Sequence, residues 1–432
     1  MKRVLVVFHS FDGWEMGPIR LRRIVRNLAR HGYEPVVLTS PATSRSLGVV
    51  PENVEILRAE SVDLAEMYRR LFRRNTSGNS NRGKAINQTM GITSAINRWF
   101  MIPDKQIVWR RAALKLARTY LQNHPVDIIF ASLAPRTNLL VARQLSGDFN
   151  LPCIQEFRDL WTGSPYHHLD QATRLHRWIH ARLERSVIRD ATRVSVVCRG
   201  LAHYLEGKYG RDIKEPIALN YNFFDPEEYQ SLPVRTFKPG ERMVVSYVGA
   251  MYATRNPYVF FEGMRRWIDT RGISPEYFRF RWVGSVVGVP EVEAMIERLQ
   301  LREFIDFEGQ KTHADALRVL QESDASLIIQ APGDSVHIPG KLFEAMGARV
   351  PVLAMSDPCE VTEIIGRTRA GWICGHDEIS IAEALDRVRE HAQAGANWKY
   401  IEAERDKFSA DVAVGNLATM FNKAIDASCP VT

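Results

Sequence analysis

Cysteine is scarce and oddly counted: five in 432 residues, at Cys153, Cys198, Cys359, Cys374 and Cys429. None forms Cys-x-x-Cys, so neither a zinc ribbon nor a disulfide framework is indicated, and a reducing cytoplasm is the expected compartment. No uninterrupted apolar run reaches the length of a membrane span. Met1-Lys2-Arg3 followed by Val4–Phe8 has the start of a leader, but His9 and Asp12 end the apolar run, which reads instead as a first strand. Walker, Gly-x-Ser-x-Gly and Asp-x-Asp motifs are absent. No carboxylate cluster stands ready for Mg²⁺ or Mn²⁺. The adjacent pair His167-His168 points two ways at once, so no metal ligand is assigned.

Acid is the other shortage, and it is local. Between Arg69 and Arg118 there are twelve Lys or Arg and a single acid, Asp104, in a chain of net charge +7. Leu71, Phe72, Ile92, Ile96, Trp99, Phe100, Met101 and Ile102 are interleaved with the cations. The stretch reads either as a surface for an anionic membrane or a phosphate-bearing acceptor, or as a solvated helical face with a loop at 75–87. No nucleic-acid recognition module is present, and nucleic acid is not expected as a partner.

What is there is alternation. Strands are expected at 3–8, 34–38, 127–132, 153–156 and 193–197. Helices are expected between them at 18–30, 106–123, 138–145 and 171–189, with Gly32 as a left-handed stop. A polar stretch at 231–242, with two prolines and a glycine, reads as a linker. A second series follows from Val244 through Ala354, then helices at 379–394 and 411–427. The pattern predicts two α/β domains with doubly wound parallel sheets. They are placed at 1–232 and 243–405, with 406–432 as a C-terminal helix.

Within the second series, Pro339-Gly340-Lys341-Leu342-Phe343-Glu344 precedes the apolar run Val350–Ala354. The spacing predicts loop, short helix, strand. A helix starting at Gly340 presents free N–H groups and the positive end of its dipole, which suits a phosphate. Lys341 in that first turn is unfavourable for the helix and makes sense beside an anion. Glu344, one turn on, shares its face. A plain surface helix with an i,i+3 Lys/Glu pair explains the same spacing.

Together with Pro351-Val352-Leu353-Ala354, this stretch resembles the donor-binding segment of family-4 glycosyltransferases of the GT-B fold, in the sub-group with a PGKLFE motif. The resemblance implies two Rossmann-like domains facing a cleft and a retaining, metal-independent transfer of a sugar from a nucleotide diphosphate, UDP above all, to a hydroxyl. It also implies no cofactor beyond the nucleotide sugar, and a helix at 406–432 that crosses back to the first domain. It gives Glu344 the ribose, and Gly340, Lys341 and Leu342 the diphosphate. Many members carry a further Glu eight positions earlier in a Glu-x7-Glu pair; Val336 stands there, so the contact to the transferred sugar has no assigned residue.

Other segments fall in line with the resemblance. Gly249 and Arg255, after the strand at 244–248, match a glycine and a basic residue that neutralises the diphosphate; a surface arginine at a loop is the plainer reading. Gly309 and Thr312, in Gly309–His313, fall where the backbone meets the nucleobase. Gly13 and Gly17, in Ser10–Arg20, lie in a loop near donor phosphates and acceptor, or form an ordinary turn. Glu156-Phe157-Arg158-Asp159-Leu160-Trp161 resembles a DxRDxW element with Glu156 for the first Asp. There Asp159 either orients an acceptor hydroxyl or pairs with Arg158 structurally. Ala131–Pro135 and Ile102-Pro103-Asp104 with Trp109 also resemble family segments. The candidate catalytic set is therefore Asp159, Arg255 and Lys341.

The expected setting is polysaccharide or glycolipid biosynthesis, with a lipid-linked acceptor and peripheral attachment to the inner face of the membrane. The rivals are a soluble-acceptor transferase of secondary metabolism, a UDP-sugar 2-epimerase, and a nucleotide-binding protein without catalysis.

Overall fold

The structure, a computed structural model, describes residues 1–13, 15–42, 54–60, 101–163, 173–230, 241–252, 255–287 and 291–428. The expected linker lies largely outside them, as do 69–100, His167-His168 and Cys429. Two compact units emerge. The first holds residues 1–197, 201–220 and the C-terminal segment from Asn416; the second holds 198–200 and 221–415.

The first unit is built on seven parallel strands: β1 Lys2–Val7, β2 Tyr33–Thr39, β3 Glu55–Arg58, β4 Ile128–Ser132, β5 Cys153–Phe157, β6 Arg193–Val196 and β7 Ala218–Leu219. Their order is β3-β2-β1-β4-β5-β6-β7. Val4–Val7, Ile128–Ala131 and Cys153–Phe157 are buried without alternation, as in a parallel sheet covered on both faces. Cover comes from helices α1 Met16–Leu28, α2 Arg110–Leu121, α3 Thr137–Phe149, α4 Arg174–Asp190 and α5 Arg199–Tyr209, the last running into this unit from Leu201. Helix α2 is preceded by a 3-10 turn at Lys105–Trp109, so the helix expected at 106–123 starts later than its periodicity suggests. Strands β3 and β7 and helix α5 have no counterpart among the elements expected from the sequence.

The second unit repeats the plan. Strands β8 Met243–Val248, β10 Phe278–Val283, β12 Ile305–Gly309, β13 Ala325–Ile329, β14 Val352–Met355 and β15 Gly371–Cys374 are parallel, in the order β12-β10-β8-β13-β14-β15. Short strands β9 Met251–Tyr252 and β11 Val286–Val287 pair separately just beyond β8 and β10. The helices are α6 Tyr258–Arg271, α7 Val292–Arg298, α8 His313–Gln321, α9 Gly340–Ala348, α10 Glu360–Thr368, α11 Glu378–Gln393 and α12 Glu402–Arg405. Aromatic residues fill the core: Phe260, Phe261, Phe280, Trp267 and Trp282 are fully buried together.

Numbered within each unit, the first six strands of both sheets run 3-2-1-4-5-6, the doubly wound Rossmann order. Chain direction reverses between β1 and β4, and again between β8 and β13. The crevice outside the carboxyl ends of those strand pairs is where open α/β sheets take ligands. The final helix, α13 Ala410–Ser428, ends in the first unit. There Phe421 sets its ring edge against Tyr33, and Asn422 accepts hydrogen bonds from Lys2 and the Tyr33 hydroxyl at 2.8 Å.

Candidate active site

In the second unit the switch point is lined by the loop after β8 and the long loop after β13. Gly249 follows β8 with φ +125°. A Cβ there would sit 2.8 Å from Lys341 Cε, so this glycine leaves room for the lysine stem. Lys341, in the first turn of α9, lays its ammonium 3.1 Å from the centre of the Tyr247 ring. It forms no ion pair with Glu344, which rules out the plain i,i+3 surface pair. Among the described residues, neither Lys341 nor Arg255 is paired with a carboxylate. Burial, and then the charge of Arg255, holds the Lys341 ammonium well below the usual lysine range. Two cations have been brought together without an acid, at a helix N-terminus that has no side-chain cap and no acid in its first turn.

The loop that delivers α9 is held from inside. Gln330, buried, donates from Nε2 to the carbonyls of Asp334 and His337 at 3.1 and 2.8 Å. Asp334 Oδ1 receives the Val336 N–H at 3.2 Å and lies 2.9 Å from His337 Nδ1. Cys198 Sγ donates to the Val336 carbonyl. Val336, at the place of the absent Glu, thus offers backbone to structure and brings no polar side chain.

Glu344 is buried and accepts the Tyr229 hydroxyl at 2.7 Å. Near it, His313 Nε2 meets Glu228 Oε2 at 3.2 Å, and the ligand-type atoms of Glu228, His313 and Glu344 lie within 4.8 Å of one another. The sequence reading assigned no such group. Nothing local marks Tyr229 or Tyr247 either: Tyr229 is 115 positions from its partner, and Tyr247 reads as one more apolar strand residue. Gly309 ends β12 with φ +66°, and its carbonyl takes the Gly284 N–H at 2.7 Å. Thr312 is the N-cap of α8: its oxygen accepts from the Asp315 N–H, and its hydroxyl donates to Asp315 Oδ2.

In the first unit the switch-point residues are largely committed to one another. Glu156, fully buried, takes Arg20 at 2.7 Å and the Ser132 hydroxyl at 2.7 Å. Burial pushes its carboxyl up, but Arg20 wins and holds it below the usual range. Arg158 donates from Nε to the Ser132 hydroxyl at 2.8 Å, so the structural pair at this strand end is Arg20–Glu156, and Arg158–Asp159 is not one. The Arg158 guanidinium lies so close to Gly17, at the start of α1, that a Cβ would meet it at 2.6 Å. Gly13 turns the loop after β1, its N–H donating to the Ser10 carbonyl and its carbonyl accepting from Arg22. Asp12 in the same loop is held in a fork by Arg58. Asp104 caps the turn before Trp109 and binds the Thr137 hydroxyl at 2.6 Å.

The candidate residues therefore fall into two sets by unit. Gly249, Arg255, Gly309, Thr312, Gly340, Lys341, Leu342 and Glu344 gather at the carboxyl ends of β8, β12 and β13; Gly13, Gly17 and Asp159 gather at those of β1 and β5.

Comparison with known proteins bears on the fold and the family. Solved structures of the same fold include a sucrose-phosphate synthase from Thermosynechococcus elongatus (14% identity, 99% of this chain and 100% of that one, TM-score 0.66). HepE of Anabaena, in complex with UDP and glucose, matches at 13% identity over 98% and 100% with TM-score 0.61. WaaG, a glycosyltransferase involved in lipopolysaccharide biosynthesis, matches at 14% over 99% and 100% with TM-score 0.58. No curated protein matches the sequence at a significant level. Residues 18–219 match the family described as glycosyl transferase 4-like domain, and residues 242–391 match glycosyl transferases group 1. The chain thus joins a glycosyl transferase 4-like domain to a glycosyl transferases group 1 domain, and is a glycosyltransferase of the GT-B type.

Proposed function

We propose that this chain moves a sugar from a UDP-linked donor to a hydroxyl acceptor with retention of configuration and without a metal ion. The observation that carries the reading is the pair Lys341 and Arg255, drawn together beside a bare helix N-terminus with no carboxylate between them. A diphosphate is the partner such a site favours, because only an anion offsets the cost of the two charges. HepE, of the same fold, has been solved with UDP and with UDP-glucose.

In the reaction the acceptor oxygen bonds to the anomeric carbon as the bond from that carbon to the β-phosphate oxygen breaks. Negative charge then grows on the leaving diphosphate, where Lys341, Arg255 and the Gly340 N–H at the start of α9 stabilise it, the Leu342 N–H being already given to the Pro339 carbonyl at 3.1 Å. The acceptor's proton passes to the leaving phosphate oxygen, which leaves Asp159 an orienting role at the acceptor hydroxyl. Glu344, fixed by Tyr229, holds the ribose hydroxyls. The acceptor is lipid-linked, in cell-surface polysaccharide or glycolipid assembly, and the chain works at the cytoplasmic face of the membrane. Lipopolysaccharide transferases of the same fold support that setting.

A panel of nucleotide sugars, scored by binding and by slow hydrolysis with and without EDTA, tests the reading. UDP-sugars bind and are hydrolysed equally in both conditions. Activity abolished by chelation and restored by Mn²⁺ would shift the charge stabilisation to a cation held by Glu228, His313 and Glu344. Conversion of a UDP-sugar to its epimer would favour the epimerase.

A further inference from the structure

We infer that the exposed face of α4 is a docking surface for anionic phospholipid headgroups. In the first unit three large apolar side chains are left open among the described residues: Met1 at the chain start, Leu175 at 57% exposure and Trp178 at 59%. The latter two are three positions apart, on one face of one helix. Trp178 lies between Arg174 and Arg182 in an i,i+4 row, and the Arg182 guanidinium stands 5.8 Å from the Trp178 ring. Arg177 is exposed on the same helix.

The charge is one-sided. Glu184, the one acid between Arg174 and Arg189, is buried and engaged by Tyr209 and Lys208. Toward the C-terminus Arg185 pairs with Asp212 and Arg189 with Asp190. Arg174 and Arg182 have no carboxylate partner among the described residues, so excess positive charge lies in the first half of the helix, where Leu175 and Trp178 are. Arg174 sits in a first turn that holds no acid, against the helix dipole, an arrangement that an external anion relieves.

An indole flanked by arginines on a helix surface is the arrangement that settles at a bilayer interface: apolar ring below the headgroups, guanidinium groups among the phosphates. Helix α2, the described helix of the basic stretch, exposes Arg111 and Lys115 but no large apolar anchor, and its Arg118 is paired with Asp148. The inference deepens the lipid-linked acceptor reading. It is separable from it, because UDP affinity reads the donor site alone.

The test is sedimentation of the full chain with phosphatidylcholine vesicles, with and without phosphatidylglycerol, at low and high salt. Wild type pellets with the anionic vesicles at low salt only. Each arginine near such a surface contributes about fivefold, so R174E/R182E lowers partitioning at least about twentyfold. L175S/W178S lowers it about tenfold through the lost apolar contact. All four side chains are exposed, so both variants keep their circular dichroism and UDP affinity. Wild type left in the supernatant overturns the inference, as does either variant pelleting like wild type. Light scattering that shows a dimer dissolved by L175S/W178S would assign the face to a second copy instead and overturn it too.

Discussion

The two units share one strand order and differ in how charge is settled at the carboxyl ends of their strands. In the first, Arg20 is answered by Glu156 and Arg58 by Asp12, both carboxylates lying inside hydrogen-bond range of the guanidinium, and Arg158 is held by the Ser132 hydroxyl. In the second, Lys341 and Arg255 stand near each other with no acid against either among the described residues, and Tyr247 offers Lys341 a ring face. Topology alone cannot tell a structural cation from one kept for a ligand. The presence or absence of the partner can, and on that ground Arg20 is read as serving stability while binding is proposed for Lys341.

The largest effect should come from breaking the settled pair. Glu156→Ala leaves the Arg20 guanidinium buried without its counter-charge, and removal of one member of such a pair costs about 3–5 kcal/mol. Urea unfolding should show that loss. Lys341→Ala should not, because it removes one of two neighbouring like charges; its denaturation midpoint stays put or rises. A large stability loss in Lys341→Ala, or none in Glu156→Ala, would break the comparison.

The second effect is on binding. In the proposed reading Lys341 and Arg255 each supply a charge-assisted contact worth roughly 1.5–3 kcal/mol to a bound diphosphate. Alanine at either should weaken UDP about tenfold to a hundredfold by calorimetry. Unchanged UDP affinity in both variants would remove the donor site from this switch point.

Much of this was legible in the sequence. Apolar runs at Val4–Val7 and Ile128–Ala131 gave away buried parallel strands, and Gly340-Lys341 after a proline announced a helix with a cation in the wrong place. What stayed hidden depends on long-range contact. Strand β3 is four residues, Glu55–Arg58, with charge at both ends, and it is a strand because β2 lies beside it. The Arg158-Asp159 dipeptide leaves open an ion pair or an acceptor contact by Asp159, yet the acid that is ion-paired at this strand end is Glu156, reached from Arg20 across 136 positions. The partners of Lys341 and Glu344 are tyrosines whose own surroundings in the sequence carry no mark of the role.

Third in size is a pH effect in the first unit. His180 is buried, accepts the Trp161 indole N–H at 3.1 Å, and its pKa is lowered to about 4 by burial and then by the charges of Arg136 and His176. Unfolded, it titrates near about 6.5. Between those values the unfolded chain takes up a proton that the folded one refuses, so stability falls as pH drops from about 6.5 toward 4. His180 should contribute about 2 kcal/mol to that fall, discounted for the part of the ring that water still reaches. His9, lowered to about 4 by burial and by Lys105, adds in the same direction. His180→Gln should flatten the slope of the unfolding midpoint with pH; an unaltered slope would show that the ring is free to protonate in place.

The smallest effect separates structure from binding within the second unit itself. Thr312 lies in the segment that resembles a nucleobase contact, but its oxygen already accepts the Asp315 N–H and its hydroxyl already donates to the Asp315 carboxylate. A side chain engaged in both directions has little left for a ligand, whereas Lys341 is engaged by no acid. Thr312→Ala should therefore cost about 1 kcal/mol, the usual worth of an N-cap, and leave UDP affinity unchanged. Thr312→Ser, which keeps the oxygen, should restore the stability. If Thr312→Ala instead lowers UDP affinity tenfold at full stability, the cap gives way when the donor binds. The rule that an already paired group is not a ligand group would then fail at the switch point where it is drawn.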